Sequence, residues 1–438
     1  MLTAHENEYI SRVGAGTPMG ALMRQYWVPA MLSSELPKPD CPPVRVLLLG
    51  EKLIAFRDSS GHVGLLENSC PHRGGSLFFG RNRDSGLRCV YHGWKFDVAG
   101  RCVDMPSEPP DSTFKDKVRA VAYPCQERGG VVWAYLGPRE SPPPLPDLEA
   151  NQLPDGQWNA VAYARNCNWL QGLEGDIDTA HVGFLHFGSE NPDDVPPGTY
   201  KYYALKDRAP KYAMLDTDYG AMYGAYRPAG PGQVYWRIAQ FLFPFFSMPP
   251  TGVLGRHIVA RAWVPMDDEH MMMFMMLPGL SPQVAATRSA QGVRPPKLLP
   301  NTTGWLGRFR LEANEDNDYQ LDRNAQERDD EYSGICGIHL QDQAITESMG
   351  PIYDRTREHL GSSDAMVIRV RRRLIAAARA LAETGTVPPG VAEPEAYRQR
   401  SGGVILDSGA DWIADTRDLR AAYAAHPELD PAIVGGFV

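Results

Sequence analysis

The pattern of apolar and polar positions divides the chain into a strand-rich first third and a longer part that mixes strands with helices. Apolar runs rich in β-branched and aromatic residues, each bounded by glycine, proline or aspartate, predict strands. Such runs lie at 44–49, 53–56, 131–136, 236–243, 257–264 and 271–277. The last run contains Met-Met-Met-Phe-Met-Met, which is typical of a buried strand, with a pocket lining as the alternative.

Two further segments complete the predicted organisation. Residues 363–383 carry apolar side chains at helical spacing around the basic run 369–373, which predicts an amphipathic helix with a charged outer face. A docking patch for an acidic electron donor is the alternative reading of that run. Residues 137–147 are too rich in proline for a helix or a central strand, and they mark the exit from a first domain.

The patterns together predict an α+β protein in three parts. Helical lead-in segments occupy 1–25 and pack on the last domain, a small antiparallel β domain covers 26–145, and a mixed domain covers 146–438. A chain of 438 residues with 43% hydrophobic content is long enough for two domains with sizeable cores. The net charge of −9 argues against nucleic acid as a partner. With no apolar run of membrane-spanning length and no basic-then-apolar leader, we expect a cytoplasmic protein that does not enter membranes.

Two short pairs of metal-ligating residues carry the strongest chemical signal in the chain. Cys70 and His72 form the first pair, Cys89 and His92 form the second, and glycines accompany both. Glycine lets the backbone approach a metal cluster closely and donate hydrogen bonds to it. A structural zinc ion is the alternative, but zinc fingers usually group like ligands together, whereas each loop here supplies one Cys and one His.

A second motif, Asp178-x-x-His181-x-x-x-x-His186, follows about ninety residues later. On an ideal helix the two histidines lie roughly 140° apart, too far to share one ion. The helix must therefore be distorted, and Gly183 is the obvious place for a π-type bulge or a helix end. Asp178 is three residues before His181, so its carboxylate is placed to accept a hydrogen bond from that ring and fix its tautomer.

These motifs resemble those of the Rieske non-haem iron oxygenases, and their order is similar to that of the phthalate 4,5-dioxygenase-like branch. The resemblance implies a 2Fe-2S cluster held by both Cys-His pairs, and an Fe(II) ion held by His181, His186 and a later carboxylate. Asp318 is the predicted third ligand, because 317–323 matches the Asn-Asp-Tyr-x-x-Asp-Arg pattern of the branch, and Asp316 is the second choice. Other matching segments are 20–29, 216–219, Trp236-Arg237, Pro244, Gln341-Asp342 and 347–355.

The resemblance also implies a fold and an assembly. The first domain would be a Rieske domain, and the catalytic domain a helix-grip sheet similar to START and Bet v1 proteins, with the active-site pocket over the sheet. A flavin/iron-sulfur reductase or a ferredoxin would supply electrons for the activation of O2. In a ring trimer the cluster of one subunit would serve the iron of the next, with Asp178 as the catalytic bridge between His72 or His92 of one chain and His181 of its neighbour.

The resemblance implies an aromatic acid as substrate, such as a phthalate, chlorobenzoate, phenoxybenzoate or methoxylated acid. The predicted reaction is hydroxylation, including cis-dihydroxylation, or O-demethylation. A buried arginine would clamp the carboxylate, and Arg208 and Arg237 are the candidates, with Arg227 behind them. Two other classes stay open from the sequence: an electron-transfer protein without oxygenase chemistry, and a zinc-stabilised binding protein.

Overall fold

The computed structural model describes residues 1–279 and 295–423. The first domain contains three small antiparallel sheets, as the strand pattern predicts. Val131–Tyr135 is the central strand of one sheet, and its five residues are all buried. The strands of this domain are Trp27–Leu32, Val44–Leu48, Glu51–Arg57, Val63–Glu67, Arg81–Asn82, Leu87–Arg88, Lys95–Phe96, Cys102–Asp104, Ala122–Tyr123, Cys125–Arg128 and Val131–Tyr135.

The second domain is built on one antiparallel sheet with helices against it, which confirms the α+β class. Its strands are Trp158–Arg165, Lys211–Asp216, Gly220–Gly230, Gln233–Leu242, Phe246–Met248, Ala260–Pro265, Met271–Pro278 and Gly402–Asp407. The α-helices that follow the first domain are Trp169–Ile177, Tyr200–Lys206, Arg323–Glu327, Ile338–Ser348, Ala365–Thr384, Trp412–Asp415 and Arg417–Arg420.

The methionine-rich strand Met271–Pro278 belongs to the core. It pairs with Trp158–Arg165 on one side and with Ala260–Pro265 on the other. Its residues 271–276 are at most 5% exposed, so the prediction of a buried strand is confirmed and the pocket-lining alternative is not supported.

The predicted amphipathic helix is present as Ala365–Thr384. One member of its basic run, Arg371, is buried and pairs with Glu174 at 2.5 Å and with Glu358. Arg369 pairs with Asp216 at 3.0 Å. Since these arginines already have acidic partners within the chain, the structure does not favour a donor-docking role for the run.

The lead-in segment forms the helices Ala4–Ser11 and Pro18–Met23, which pack against Ala365–Thr384. The side-chain amide of Asn168 also donates a hydrogen bond to the carbonyl of Ser11 at 3.0 Å, which anchors the segment to the second domain. The domain limits at 25 and 145 stay a prediction. Among the described residues, no helix combines the length and the apolar character that crossing a lipid bilayer requires.

Candidate active site with two metal centres

The two Cys-His loops of the first domain have the same backbone geometry. Cys70 N–H donates to the carbonyl of Gly75, and Gly74 N–H donates back to the carbonyl of Cys70, both at 2.9 Å. In the second loop Cys89 and Gly93 repeat this pattern at 2.8 and 3.0 Å. Gly74 and Gly93 have φ values of 72° and 81°, which other residues adopt only with strain. Glycine at the fourth position after each cysteine therefore allows both loops to close in the same way.

The four predicted ligands line one small cavity between these loops. Both thiols are only 3% exposed, while the imidazoles are half-buried with ring centroids 4.3 Å apart. Trp94 stacks on His72 at 4.3 Å and holds that ring in place. The buried Nδ1 of His72 has no hydrogen-bond partner in the part of the chain that the structure describes. Two buried thiols and an imidazole nitrogen without a hydrogen bond line the same cavity, and they provide ligand atoms for a metal cluster.

Burial raises the pKa of the Cys70 thiol to about 11. A thiol of that pKa keeps its proton at neutral pH unless a metal cation replaces it, because metal binding requires the thiolate.

The second centre lies where a helix of the second domain breaks. Asn168 caps the helix Trp169–Ile177 by accepting from Leu170 N–H, and the helix ends before Asp178, whose backbone is extended. A single π-turn, Val182–His186, follows and contains Gly183. The predicted distortion is thus present. It brings the Nε2 atoms of His181 and His186 to 3.1 Å from each other.

The carboxylate that approaches the Nε2 atoms of both histidines is that of Asp342. Its Oδ1 lies 3.3 Å from His186 Nε2 and 3.7 Å from His181 Nε2. Within the described part of the chain, the ligand atoms of His181, His186 and Asp342 all lie within 4.8 Å of one another, close enough to share one metal ion. Burial favours the neutral form of Asp342, but hydrogen bonding to His186 and the charges of both histidines outweigh it and hold the pKa of Asp342 well below its usual range.

The outer ring nitrogens show which atoms face the centre. His181 Nδ1–H donates to Asp178 Oδ2 at 3.2 Å, the contact that the sequence spacing predicts. His186 Nδ1–H donates to the side-chain oxygen of Gln341 at 2.7 Å. With both protons on Nδ1, the two Nε2 lone pairs and the Asp342 oxygen point at one another, and a metal cation bound between them would relieve their repulsion. Two imidazoles and one carboxylate suit a ferrous ion with open positions.

The structure does not bring Asp318, the predicted third ligand, to the two histidines, and it places Asp342 there instead. Residues Glu315–Gln320 form a 3-10 turn in which Asp318, Tyr319 and Gln320 have left-handed backbone. Asp318 and Asp316 are both exposed, and neither belongs to the group of converging ligand atoms. The turn instead supports the helix Ile338–Ser348, because Tyr319 O–H donates to Glu347 at 2.7 Å.

Sequence reasoning also missed Gln341. The sequence signal that could have revealed its role was the Gln341-Asp342 pair, which matches the pattern of the resembling family. In the structure both residues lie on the helix Ile338–Ser348, with their side chains directed away from bulk solvent. Gln341 is 2% exposed, and Asp342 is half-buried.

Two cavities meet at this second centre. The larger has a volume of about 490 Å³, opens to solvent, and is lined by Asp178 and His181. The smaller, about 60 Å³, lies between the ligands and the sheet, and Arg237 lines it. Arg208 lies elsewhere: its guanidinium is 5.1 Å from the Phe184 ring and donates to the carbonyl of Gly188 at 3.4 Å. Of the two predicted substrate residues, the structure brings only Arg237 to the site.

Comparison with known proteins accounts for both halves of the chain. Residues 26–124 match the Rieske [2Fe-2S] domain, and residues 134–431 match the LigXa C-terminal domain-like family. The 3-chlorobenzoate-3,4-dioxygenase oxygenase subunit of Comamonas testosteroni is 48% identical, over 94% of this chain and 97% of that protein. The phthalate 4,5-dioxygenase oxygenase subunit of Pseudomonas putida is 37% identical, over 97% and 96%.

Solved structures show the same fold at low sequence identity. Dicamba monooxygenase bound to dicamba matches with a TM-score of 0.58 at 16% identity, over 83% of this chain and 99% of that one. An oxygenase and ferredoxin complex of carbazole 1,9a-dioxygenase matches with a TM-score of 0.50 at 19% identity, over 85% and 94%.

Proposed function

Because this chain belongs to the Rieske non-haem iron oxygenases, as an oxygenase subunit similar to the chlorobenzoate and phthalate dioxygenases, we propose that it oxygenates an aromatic carboxylic acid. The reaction is hydroxylation, including cis-dihydroxylation, or O-demethylation. One observation carries the proposal: a cavity beside His181, His186 and Asp342 is lined by a buried arginine that no carboxylate among the described residues neutralises. The electron-carrier and zinc-protein alternatives do not account for this second centre or for the relatives.

The 2Fe-2S cluster and Fe(II) supply electron storage and dioxygen activation when bound. The residues of the chain position that chemistry. Asp178 and Gln341 accept hydrogen bonds from the Nδ1–H groups of His181 and His186. The Nε2 atom of each ring is therefore left without a proton and can bind the metal. In the first domain Trp94 fixes the ring of His72 by stacking, and its own N–H donates to Ser107 at 3.1 Å.

The charges around the smaller cavity indicate an anionic substrate. Arg261 also lines it, but Arg261 pairs with Asp176 at 2.5 Å. Arg237 is 2% exposed, donates to the hydroxyl groups of Thr179 and Tyr200, and forms no ion pair with any carboxylate in the described residues. A buried cation without a counter-ion is costly. A substrate carboxylate that entered this cavity would provide the missing negative charge.

The sheet surface beside Arg237 adds further unpaired polar groups. Tyr212 and Arg237 lie opposite Ala225 on its two neighbouring strands, and Tyr223 and Arg227 lie two positions before and after Ala225. Because side chains alternate along a strand, all four share one face around the small Ala225 side chain. We call this group of five residues the carboxylate cradle.

Tyr223 and Arg237 of the cradle line the smaller cavity, and Tyr212 and Arg227 lie beside them on the same face of the sheet. Within residues 1–279 and 295–423, one buried polar atom of each of its four polar residues has no partner at hydrogen-bond distance and angle: Tyr212 O–H, Tyr223 O–H, Arg227 Nη1 and Arg237 Nε. A carboxylate has about four acceptor sites. Burial and the nearby charge of Arg237 lower the pKa of Arg227, which an anionic ligand would reverse.

Substitutions in the cradle test the substrate class. Arg237→Gln and Arg227→Gln are expected to weaken the apparent affinity for benzoates and phthalates about 10- to 100-fold, since each removes charge-assisted hydrogen bonds. Tyr223→Phe is expected to weaken the same apparent affinity about fivefold, because it removes one neutral hydrogen bond. The measurement is substrate-dependent oxygen uptake, corrected for peroxide, over a panel of benzoates, phthalates and methoxybenzoates.

Two variants and one neutral compound serve as controls. Arg208→Gln removes an arginine outside the cavity, and Tyr226→Phe removes a hydroxyl on the opposite face of the same strand, where Tyr226 stacks on Trp236. Both variants should leave the apparent affinity for the carboxylates unchanged. Benzamide has no negative charge, so its apparent affinity should be the same for the cradle variants and the unaltered protein. Equal losses for benzoate and benzamide would refute carboxylate recognition by the cradle.

A substitution in the first domain tests the cluster. Cys89→Ser is expected to abolish the red-brown colour and to lower the iron content from about three to about one atom per chain, because a thiolate ligand is lost. Absorption spectroscopy and metal analysis measure both. Cys102→Ser is the matched control, a buried cysteine of the same core that does not line the cluster cavity, and it should stay coloured. A coloured Cys89→Ser protein would contradict the ligand assignment.

Exposed apolar side chains beside both centres support the assembly of a head-to-tail ring trimer. Val90 and Tyr91, next to His92, are 57% and 56% exposed. Ile345 and Met349, which line the larger cavity, are 44% and 42% exposed. Two different apolar patches fit a heterologous interface that closes into a ring.

In this proposal the cluster face of one subunit covers the larger cavity of the next, and a ferredoxin or a flavin/iron-sulfur reductase supplies the electrons. Native mass measurement should give three times the chain mass of 48.5 kDa.

A further inference from the structure

The structure assigns a positioning role to Gln341: it holds His186 in the tautomer that carries its proton on Nδ1, so that Nε2 is left free to bind the metal. This inference rests on the proposed mononuclear iron site. Gln341 directly precedes Asp342 on the helix Ile338–Ser348 and touches the iron site only through His186.

Its surroundings leave the amide of Gln341 one satisfactory orientation. The amide nitrogen donates to the carbonyl of Ile335 at 2.9 Å, and a carboxylate oxygen of Glu331 lies 3.5 Å from it. Both groups only accept hydrogen bonds, since a carbonyl has no proton and an ionised carboxylate has none either. A flipped amide would place its oxygen against two other oxygens.

The orientation of the amide determines the tautomer of the ring. With its nitrogen committed to Ile335, Gln341 presents an oxygen to His186 Nδ1 at 2.7 Å. The ring nitrogen must therefore be the donor, so the proton is on Nδ1 and the lone pair is on Nε2. The opposite tautomer would set two acceptors against each other in a buried place, where an unmade hydrogen bond is most costly.

The same helix supplies a ligand and the residue that orients another ligand. Gln341 N–H donates to the carbonyl of Gly337 at 3.0 Å in the first turn, so the backbone of this position is held by the helix. Because Gln341 and Asp342 are neighbours, one rigid element sets the position of a carboxylate ligand and the tautomer of an imidazole ligand.

The test is metal binding by the full-length protein after removal of the mononuclear iron, with the cluster retained. Co(II) is titrated, and its visible absorption bands report both affinity and coordination. Gln341→Met keeps the length of the side chain but has no comparable acceptor, so Co(II) affinity should fall about 10- to 100-fold. Gln341→Glu should restore affinity to within about threefold of the unaltered protein when the new carboxyl group is protonated, because its O–H can then donate to the carbonyl of Ile335 while its other oxygen accepts from His186; the titration is therefore repeated at decreasing pH.

Gln343→Met is the matched control. Gln343 is a buried amide of the same helix, 3% exposed, and it donates to Glu347 at 2.9 Å instead of contacting a histidine. It should bind Co(II) like the unaltered protein even if its thermal stability falls. The inference is overturned if Gln341→Met binds Co(II) normally, if Gln343→Met loses as much affinity, or if Gln341→Glu fails to restore it. Absence of Co(II) binding by the unaltered protein would instead count against the proposed iron site.

Discussion

Replacement of Asp342 by alanine is expected to remove the mononuclear iron and abolish oxygenation, while the cluster keeps its colour. Asp342 supplies the carboxylate oxygen that faces the Nε2 atoms of His186 and His181, at 3.3 and 3.7 Å. Loss of a residue that merely orients a ligand costs about 10- to 100-fold in metal affinity, so loss of a ligand itself should cost at least about 100-fold. Metal analysis should find about two iron atoms per chain instead of about three.

Asp318→Ala is the informative control, because Asp318 is the ligand that the family pattern suggests. Its side chain is exposed in the structure, so this variant should keep its mononuclear iron and its turnover. Normal iron content in the Asp342 variant together with iron loss in the Asp318 variant would overturn the ligand assignment and restore the prediction from sequence.

Replacement of Asp178 by asparagine is expected to lower turnover per mononuclear iron about 10- to 100-fold or more. Both carboxylate oxygens are in use: Oδ2 accepts from His181 Nδ1–H at 3.2 Å, and Oδ1 accepts from Ala180 N–H at 2.7 Å. Asparagine offers one oxygen and one NH2 group to these two donors, so one contact becomes repulsive. Asp178 and His181 also line the larger cavity, where a neighbouring cluster face would lie in the proposed trimer.

Single-turnover measurements separate electron transfer from metal binding. The donor should reduce the cluster of the Asp178→Asn protein at the normal rate, whereas reoxidation of the cluster in the presence of substrate and O2 should be slow. Asp267→Asn is the matched control, because Asp267 accepts from His270 at the same three-residue spacing, at 2.9 Å, and lines neither cavity. Undiminished turnover of an Asp178→Asn protein with both metals loaded would rule out the bridging role.

The sequence alone determined the parts of both centres that depend on short stretches of chain. The two Cys-His loops close through bonds between residues at most five positions apart. The helical angle between His181 and His186 required a distortion, and the π-turn with Gly183 supplies it. The contact from Asp178 to His181 also followed from local spacing, although the helix ends before Asp178, so an extended residue makes the contact and not a shared helical face.

Only the tertiary structure decided which distant groups complete the site. Asp342 and Gln341 lie more than 150 residues beyond the histidines, and the sequence pattern pointed to Asp318, with Asp316 as second choice. The choice between Arg237 and Arg208, and the cradle around Ala225, likewise depends on which strands become neighbours. The physical reason is that bond geometry fixes contacts within a few residues, whereas contacts between distant segments are fixed by how whole helices and sheets pack, which no single motif specifies.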